Sequence, residues 1–142
     1  MTRLARSVLA GLALSALVAG GYTTSGWARA GAYLADLVKT EPYRGAWTKM
    51  LAKERDVPSW VKDFIVTGVG DSTPAHMVPV GYRAYLLATL CKFHDCANGM
   101  LYVMFAPDGA QAYAKLVEAG KTRWLGKPDA AMQTALSGAL TQ

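Results

Sequence analysis

A chain of 142 residues with 52% hydrophobic and 18% charged positions has the composition of one ordinary globular domain, not of a disordered chain, a collagen-like repeat or a coiled coil. The formal charge of +5 invites a polyanion as partner until its distribution is read, because residues 31–142 hold 12 Lys and Arg against 10 Asp and Glu. A net +2 over that length leaves no electrostatic footprint for nucleic acid, which is excluded as a generic partner.

The first thirty residues read as a secretory signal peptide. Arg3 and Arg6 precede an apolar run from Val8 to Gly21, and Ala28-Arg29-Ala30 supplies small residues for cleavage after Ala30. A cut nearer Val18-Ala19-Gly20 is the alternative site. The run falls short of the roughly 20 residues that a spanning helix needs, which argues against an uncleaved membrane anchor. The leader also contains no cysteine for lipid attachment. An exported, periplasmic protein in an oxidising space is expected, with one domain over residues 31–142.

In chain order, Tyr33, Leu34, Leu37 and Val38 give the first apolar helical face within Gly31–Lys39. Glu41-Pro42 opens a second helix, along which Tyr43, Ala46, Trp47, Met50 and Leu51 recur at three- and four-residue steps as far as Glu54. Val57-Pro58-Ser59-Trp60-Val61 follows, with Pro58 closing an element and Trp60 offered to the core. The middle then changes period. Met77 to Leu90 is rich in aromatic and branched residues, and Met100 to Phe105 is a continuous apolar run ended by the turn signal Pro107-Asp108-Gly109. Both read as strands.

Residues 110–118 carry two signals, since Gln, Ala, Lys, Leu and Glu favour helix while Tyr113, Lys115 and Val117 alternate with smaller neighbours. The Ala119-Gly120-Lys121 break before Thr122–Leu125 makes strand–turn–strand the other reading. A final helix starts after Gly126-Lys127-Pro128-Asp129. Strands without intervening helices imply an antiparallel sheet, so the fold class is α+β: about five strands flanked by N-terminal helices and a C-terminal helix.

The chemistry-bearing residues cluster at Cys91-Lys92-Phe93-His94-Asp95-Cys96, between the two strongest strand candidates. In an exported protein, two cysteines this close read most simply as a disulfide. A ring this small removes only about 2 kcal/mol of chain entropy from the unfolded state, so its better use is local, holding a projecting loop in one shape before a partner arrives. Three other readings stay open. The pair can be a plain hairpin staple, a metal site using Cys91, His94 and Cys96, or a redox couple. The spacing matches neither a zinc pattern nor the two-residue separation of a thioredoxin-like motif. Elsewhere, His76 has no ligand-spaced neighbour and reads as exposed or capping, and Trp47, Trp60 and Trp124 read as core or interface anchors. Gly68-Val69-Gly70-Asp71 lacks a phosphate-loop pattern. No nucleophile elbow, metalloprotease helix or dinucleotide fingerprint is present, so neither an enzyme nor a cofactor is expected.

The six-residue segment closely resembles the Cys-Lys-Pro-His-Asp-Cys loop of the inhibitor of vertebrate lysozyme (Ivy) family. Val57–Val61 is similar to that family's Leu-Pro-Ala-Trp-Val segment, Thr73-Pro74-Ala75 to the Thr-Pro-Ala before a Val-rich strand, Tyr102–Phe105 to the strand after the loop, and Trp124-Leu125 to its late Trp-Leu pair. The resemblance implies a protein that protects peptidoglycan by pushing this protruding loop into the active-site cleft of a c-type lysozyme, where His94 meets the catalytic carboxylates. Beside it, Lys92 is expected at the cleft rim, Asp95 against cleft donors and Phe93 along the sugar-binding wall. Phe93 departs from the family's Pro, whose ring would fix φ. An endogenous lytic transglycosylase is the rival target, a structural or chaperone-like periplasmic role the rival class, and a monomer or homodimer is expected.

Overall fold

The computed structural model describes residues 29–139, so the predicted leader lies outside them except for Arg29 and Ala30. Four short helices come first: α1 (Leu34–Leu37), α2 (Tyr43–Ala52), α3 (Ser59–Lys62) and α4 (Phe64–Thr67). Five strands follow, β1 (His76–Val80), β2 (Arg83–Cys91), β3 (Gly99–Phe105), β4 (Ala112–Glu118) and β5 (Lys121–Leu125), and α5 (Ala130–Gly138) closes the chain. The strands pair in sequence order, each antiparallel to the next. The α+β reading therefore holds, with the meander expected of strands joined by tight turns.

Within 110–118, Ala112–Glu118 resolves as strand. Intrinsic helix preference loses there because β4 pairs on both sides, Leu116 with Leu101 on β3 and with Arg123 on β5. The stretch from Met77 to Leu90 is two strands joined at Val80 and Arg83 by a two-residue turn, in which Gly81 takes φ 59°. His76, expected at the surface, is half-buried opposite Leu87 at the start of β1. Pro58 precedes α3 rather than ending an element, and its fixed φ of −58° suits the entry to a helix.

Both faces of the sheet are covered, and the two-residue period decides which side chain goes where. Leu86, Ala88 and Leu90 of β2 face the same way as Leu101, Val103 and Phe105 of β3 and Ala112, Ala114 and Leu116 of β4; α1–α4 pack on them through Leu34, Leu37, Trp47, Val61 and Phe64. The Tyr43 ring meets Phe105 edge-on at 5.2 Å. The opposite face carries Tyr85, Leu87, Tyr102 and Met104, covered by Leu136 and Met132 of α5. Asp129 caps α5 by accepting from the Met132 amide at 2.9 Å. Because both faces are buried, the functional surface must lie at a sheet end or edge. Among the described residues no helix is long and apolar enough to cross a membrane.

Candidate functional site: a disulfide-closed loop at one end of the sheet

The connection between β2 and β3 is the segment singled out in the sequence, and it projects from the end of the two central strands. Cys91, the last residue of β2, is bonded to Cys96, with 4.9 Å between their Cα atoms. Cys91 is buried and Cys96 exposed, so the bond ties the tip to the sheet. The Lys92 amide donates to the Gly99 carbonyl at 2.9 Å, adding one rung to the ladder before the chain turns.

Two turns build the loop. In the first, the Asp95 amide donates to the Lys92 carbonyl at 2.9 Å, leaving Phe93 and His94 as the central pair. His94 has φ 58°, a conformation that histidine, asparagine and aspartate enter more readily than most residues. A positive φ only at the second central position is the type II pattern, which favours proline at the first. Phe93 occupies that first place. In the second turn, the amides of Asn98 and Gly99 both donate to the Asp95 carbonyl at 3.1 Å.

The charged residues of the loop are turned on each other. Lys92 Nζ lies 2.8 Å from Asp95 Oδ2, and Asn98 Nδ2 donates to Asp95 Oδ1 at 2.7 Å. The hydrogen bond to Asp95 raises the Lys92 ammonium above its usual range. The same bond, followed by the one from Asn98, holds the Asp95 carboxyl below its own. Within the loop itself, Lys92 and Asp95 thus brace the turn they belong to. Phe93 and His94 are both exposed, and their ring centroids are 3.8 Å apart with planes tilted by 55°. The tip therefore presents an imidazole steadied by a neighbouring aromatic ring.

The base is braced from three directions. Asp71 forms an antiparallel bridge with Cys91, its amide donating at 3.2 Å and its carbonyl accepting at 2.7 Å. On the other side the Ala119 amide, in the β4–β5 turn, donates to the Asn98 carbonyl at 2.9 Å. Beneath them lies Trp60, whose Nε1 donates to Glu118 Oε1 at 3.2 Å. Gly99 leaves room for this packing, since a Cβ there would stand 2.7 Å from Lys92 Cβ and 3.2 Å from Trp60 Cζ2. Trp60 thus packs half-buried against the helix-side core, as expected of an anchor, and buttresses the loop as well. Sequence reasoning missed the parts played by Asp71, Ala119 and Glu118, whose sequence positions carry no sign of a loop 20 or more residues away.

One group of potential metal ligands occurs here among the described residues: Asp71, Cys91 and Cys96, whose ligand atoms lie within 4.8 Å of one another. Both sulfurs are engaged in the disulfide, so neither is a thiolate ligand.

The chain is similar to several known bacterial proteins. Over 96% of the chain it is 32% identical to an uncharacterized protein of Pseudomonas aeruginosa, covering 91% of that protein. It is 28% identical to an uncharacterized protein of Yersinia pestis over 75% of each chain. A shorter stretch, 56% of the chain, is 38% identical to the inhibitor of vertebrate lysozyme of Pseudomonas aeruginosa and spans half of that protein. The family model for the inhibitor of vertebrate lysozyme matches residues 42–141, from the start of α2 to beyond α5 and through the whole loop, and the chain belongs to the Ivy family.

Proposed function

We propose that this protein is a periplasmic inhibitor of c-type lysozyme, exported by a cleaved signal peptide and acting by occlusion. Its Cys91–Cys96 loop enters the catalytic cleft and His94 binds the acid pair there. The observation that carries the reading is the exposed His94 imidazole, held at the tip of a doubly braced, disulfide-closed turn and backed by Phe93 at 3.8 Å. A retaining glycosidase places two carboxyl groups about 5 Å apart, one protonated and one ionised. An imidazole has a nitrogen on either side of a small ring, and can meet one carboxyl with each. Lys92 and Asp95 keep the turn closed, while Phe93 lies along the sugar-binding wall. No chemistry on the bound enzyme is needed, because filling the cleft excludes the glycan.

The test is turnover of cell-wall substrate by a c-type lysozyme with the oxidised, mature protein added. Activity falls with wild type. The informative variant is His94→Asn, because asparagine also tolerates positive φ and so removes the imidazole while keeping the turn. Inhibition weakens by about 100-fold or more if both carboxyl contacts are lost, at roughly 1.5–3 kcal/mol for each charge-assisted hydrogen bond. Equal potency of the two proteins rules out the imidazole mechanism. A lytic transglycosylase assayed in parallel decides the target, and inhibition of that enzyme alone reassigns the cleft.

A further inference from the structure

Specific protein–protein interfaces bury about 800 Å² on each partner, over roughly 20–30 residues a side. The four side chains inside the disulfide ring cannot supply that area, so a loop that occupies a cleft needs a second surface beside it. The described chain exposes five large apolar side chains, namely Tyr33, Val66, Val69, Tyr82 and Phe93. Tyr82 lies in the β1–β2 turn, at the far end of the sheet from the loop. Val69 lies at the loop end, two residues before the Asp71 bridge to Cys91 and therefore alongside the point where the chain leaves β2. Val66 is three residues further back on α4, and the two are 53% and 87% exposed.

The backbone that carries these valines is fixed. Gly68 ends α4 at φ 63°, its amide donating to the Phe64 carbonyl at 2.8 Å. The Val69 amide is held by Thr67 Oγ1 at 3.2 Å. Gly70, at φ 152°, lets the strap lie directly on β2, for a Cβ there would come within 2.5 Å of Leu90 Cδ1 and 3.0 Å of the Cys91 carbonyl oxygen. Two solvent-facing valines on a preset backbone cost little to order on binding.

We propose that Val69 and Val66, on the strap that reaches the base of the loop, form an apolar ridge that packs on the wall of the cleft the loop enters. This inference rests on the inhibitor reading above. The occupant follows from the chemistry of glycan-binding clefts, which offer apolar and aromatic side chains to the faces of sugar rings with a few polar groups between. Two branched side chains near the base of the loop suit that wall, and they set which clefts the loop can enter.

The test is affinity for a c-type lysozyme, by titration calorimetry and by inhibition, using the full secreted chain. Val66→Ser/Val69→Ser raises Kd by about tenfold or more, as expected from losing two buried branched side chains at a wet rim. Its melting temperature stays at the wild-type value because both side chains face solvent. Tyr82→Ser, at the opposite end, leaves Kd unchanged. If the double variant binds within about twofold of wild type while His94→Asn has lost inhibition, the ridge is wrong and the inhibitor reading stands. Wild-type protein that binds no lysozyme removes both.

Discussion

His94 and its neighbours divide the work of the loop between backbone, charge and ring. In the related six-residue loop a proline sets φ at the first central position of the turn, whereas here Phe93 leaves that torsion free and lays its ring on the imidazole at 3.8 Å. Order that proline builds into the unfolded chain is supplied here by packing in the folded one. The Lys92–Asp95 pair has the clearest solution signature. Asp95 is held below its ordinary value of 3.8, so its share of loop stability is complete above that value and is lost as pH falls through the folded one. Lys92 is held above 10.5, so its share is complete below that value and disappears as pH rises through the folded one. The pair is therefore whole across neutral pH. A Lys92→Met variant is expected to inhibit less well than wild type by a constant factor from about pH 5 to about pH 9, with a gap of at most a fewfold for a solvent-exposed pair. Hydrogen exchange of the Asp95 and Asn98 amides, compared between the two proteins down to about pH 3, should show the gap closing in acid. A gap that widens there contradicts the pairing.

At the scale of elements, what the sequence makes legible depends on how local the cause is. The Pro107-Asp108-Gly109 turn, the start of α5 after Asp129 and the β2 and β3 strands announce themselves because a few consecutive residues determine each. Residues 110–118 do not, since their strand state depends on two neighbours that lie elsewhere in the sequence. α4 offers one buried side chain in four residues, too little for a period, and only its packing through Phe64 makes it a helix. The same logic separates the loop from its supports. Its six residues are readable from cysteine spacing, whereas Asp71 and Ala119 reach it only through the register of the sheet, and Trp60 only through the packing of α3. Ala119 shows how much that register asks for. In the two-residue turn between Glu118 and Lys121 it takes φ 47°, and Gly120 φ 74°, a type I′ geometry that prefers asparagine then glycine. An alanine there carries strain of about 1 kcal/mol. Ala119→Asn should therefore stabilise the protein by roughly 0.5–1 kcal/mol in chemical denaturation, with inhibition unchanged because the amide bond to Asn98 is retained. A lower denaturation midpoint would mean the turn is not type I′ in solution.

For the molecule as a whole, stability and the proposed function sit in separate places. The core lies between the sheet and α1–α4, with a second cluster under α5, and neither includes the ring between Cys91 and Cys96. The near-neutral charge of residues 31–142 gives little long-range steering toward a charged partner, so on the inhibitor reading affinity comes from a loop shaped before contact. The disulfide is the part of the fold that separates these two roles, because a ring of six residues contributes only about 2 kcal/mol to global stability. A Cys91→Ala/Cys96→Ala protein should keep its far-ultraviolet spectrum and cooperative unfolding, with a midpoint lowered by about 10 °C. The Asp71 bridge, the Asn98–Ala119 contact and Trp60 still hold the loop's base. Inhibition should fall further than stability, by about tenfold or more, because the tip must then be ordered in the complex rather than before it. The dissociation rate is the quantity to follow, since loss of preorganisation in a fixed interface shows mainly there. If the variant unfolds outright, the bond belongs to the fold. If it inhibits as well as wild type, the hydrogen bonds and ring contact of the loop are enough to shape it without the covalent link.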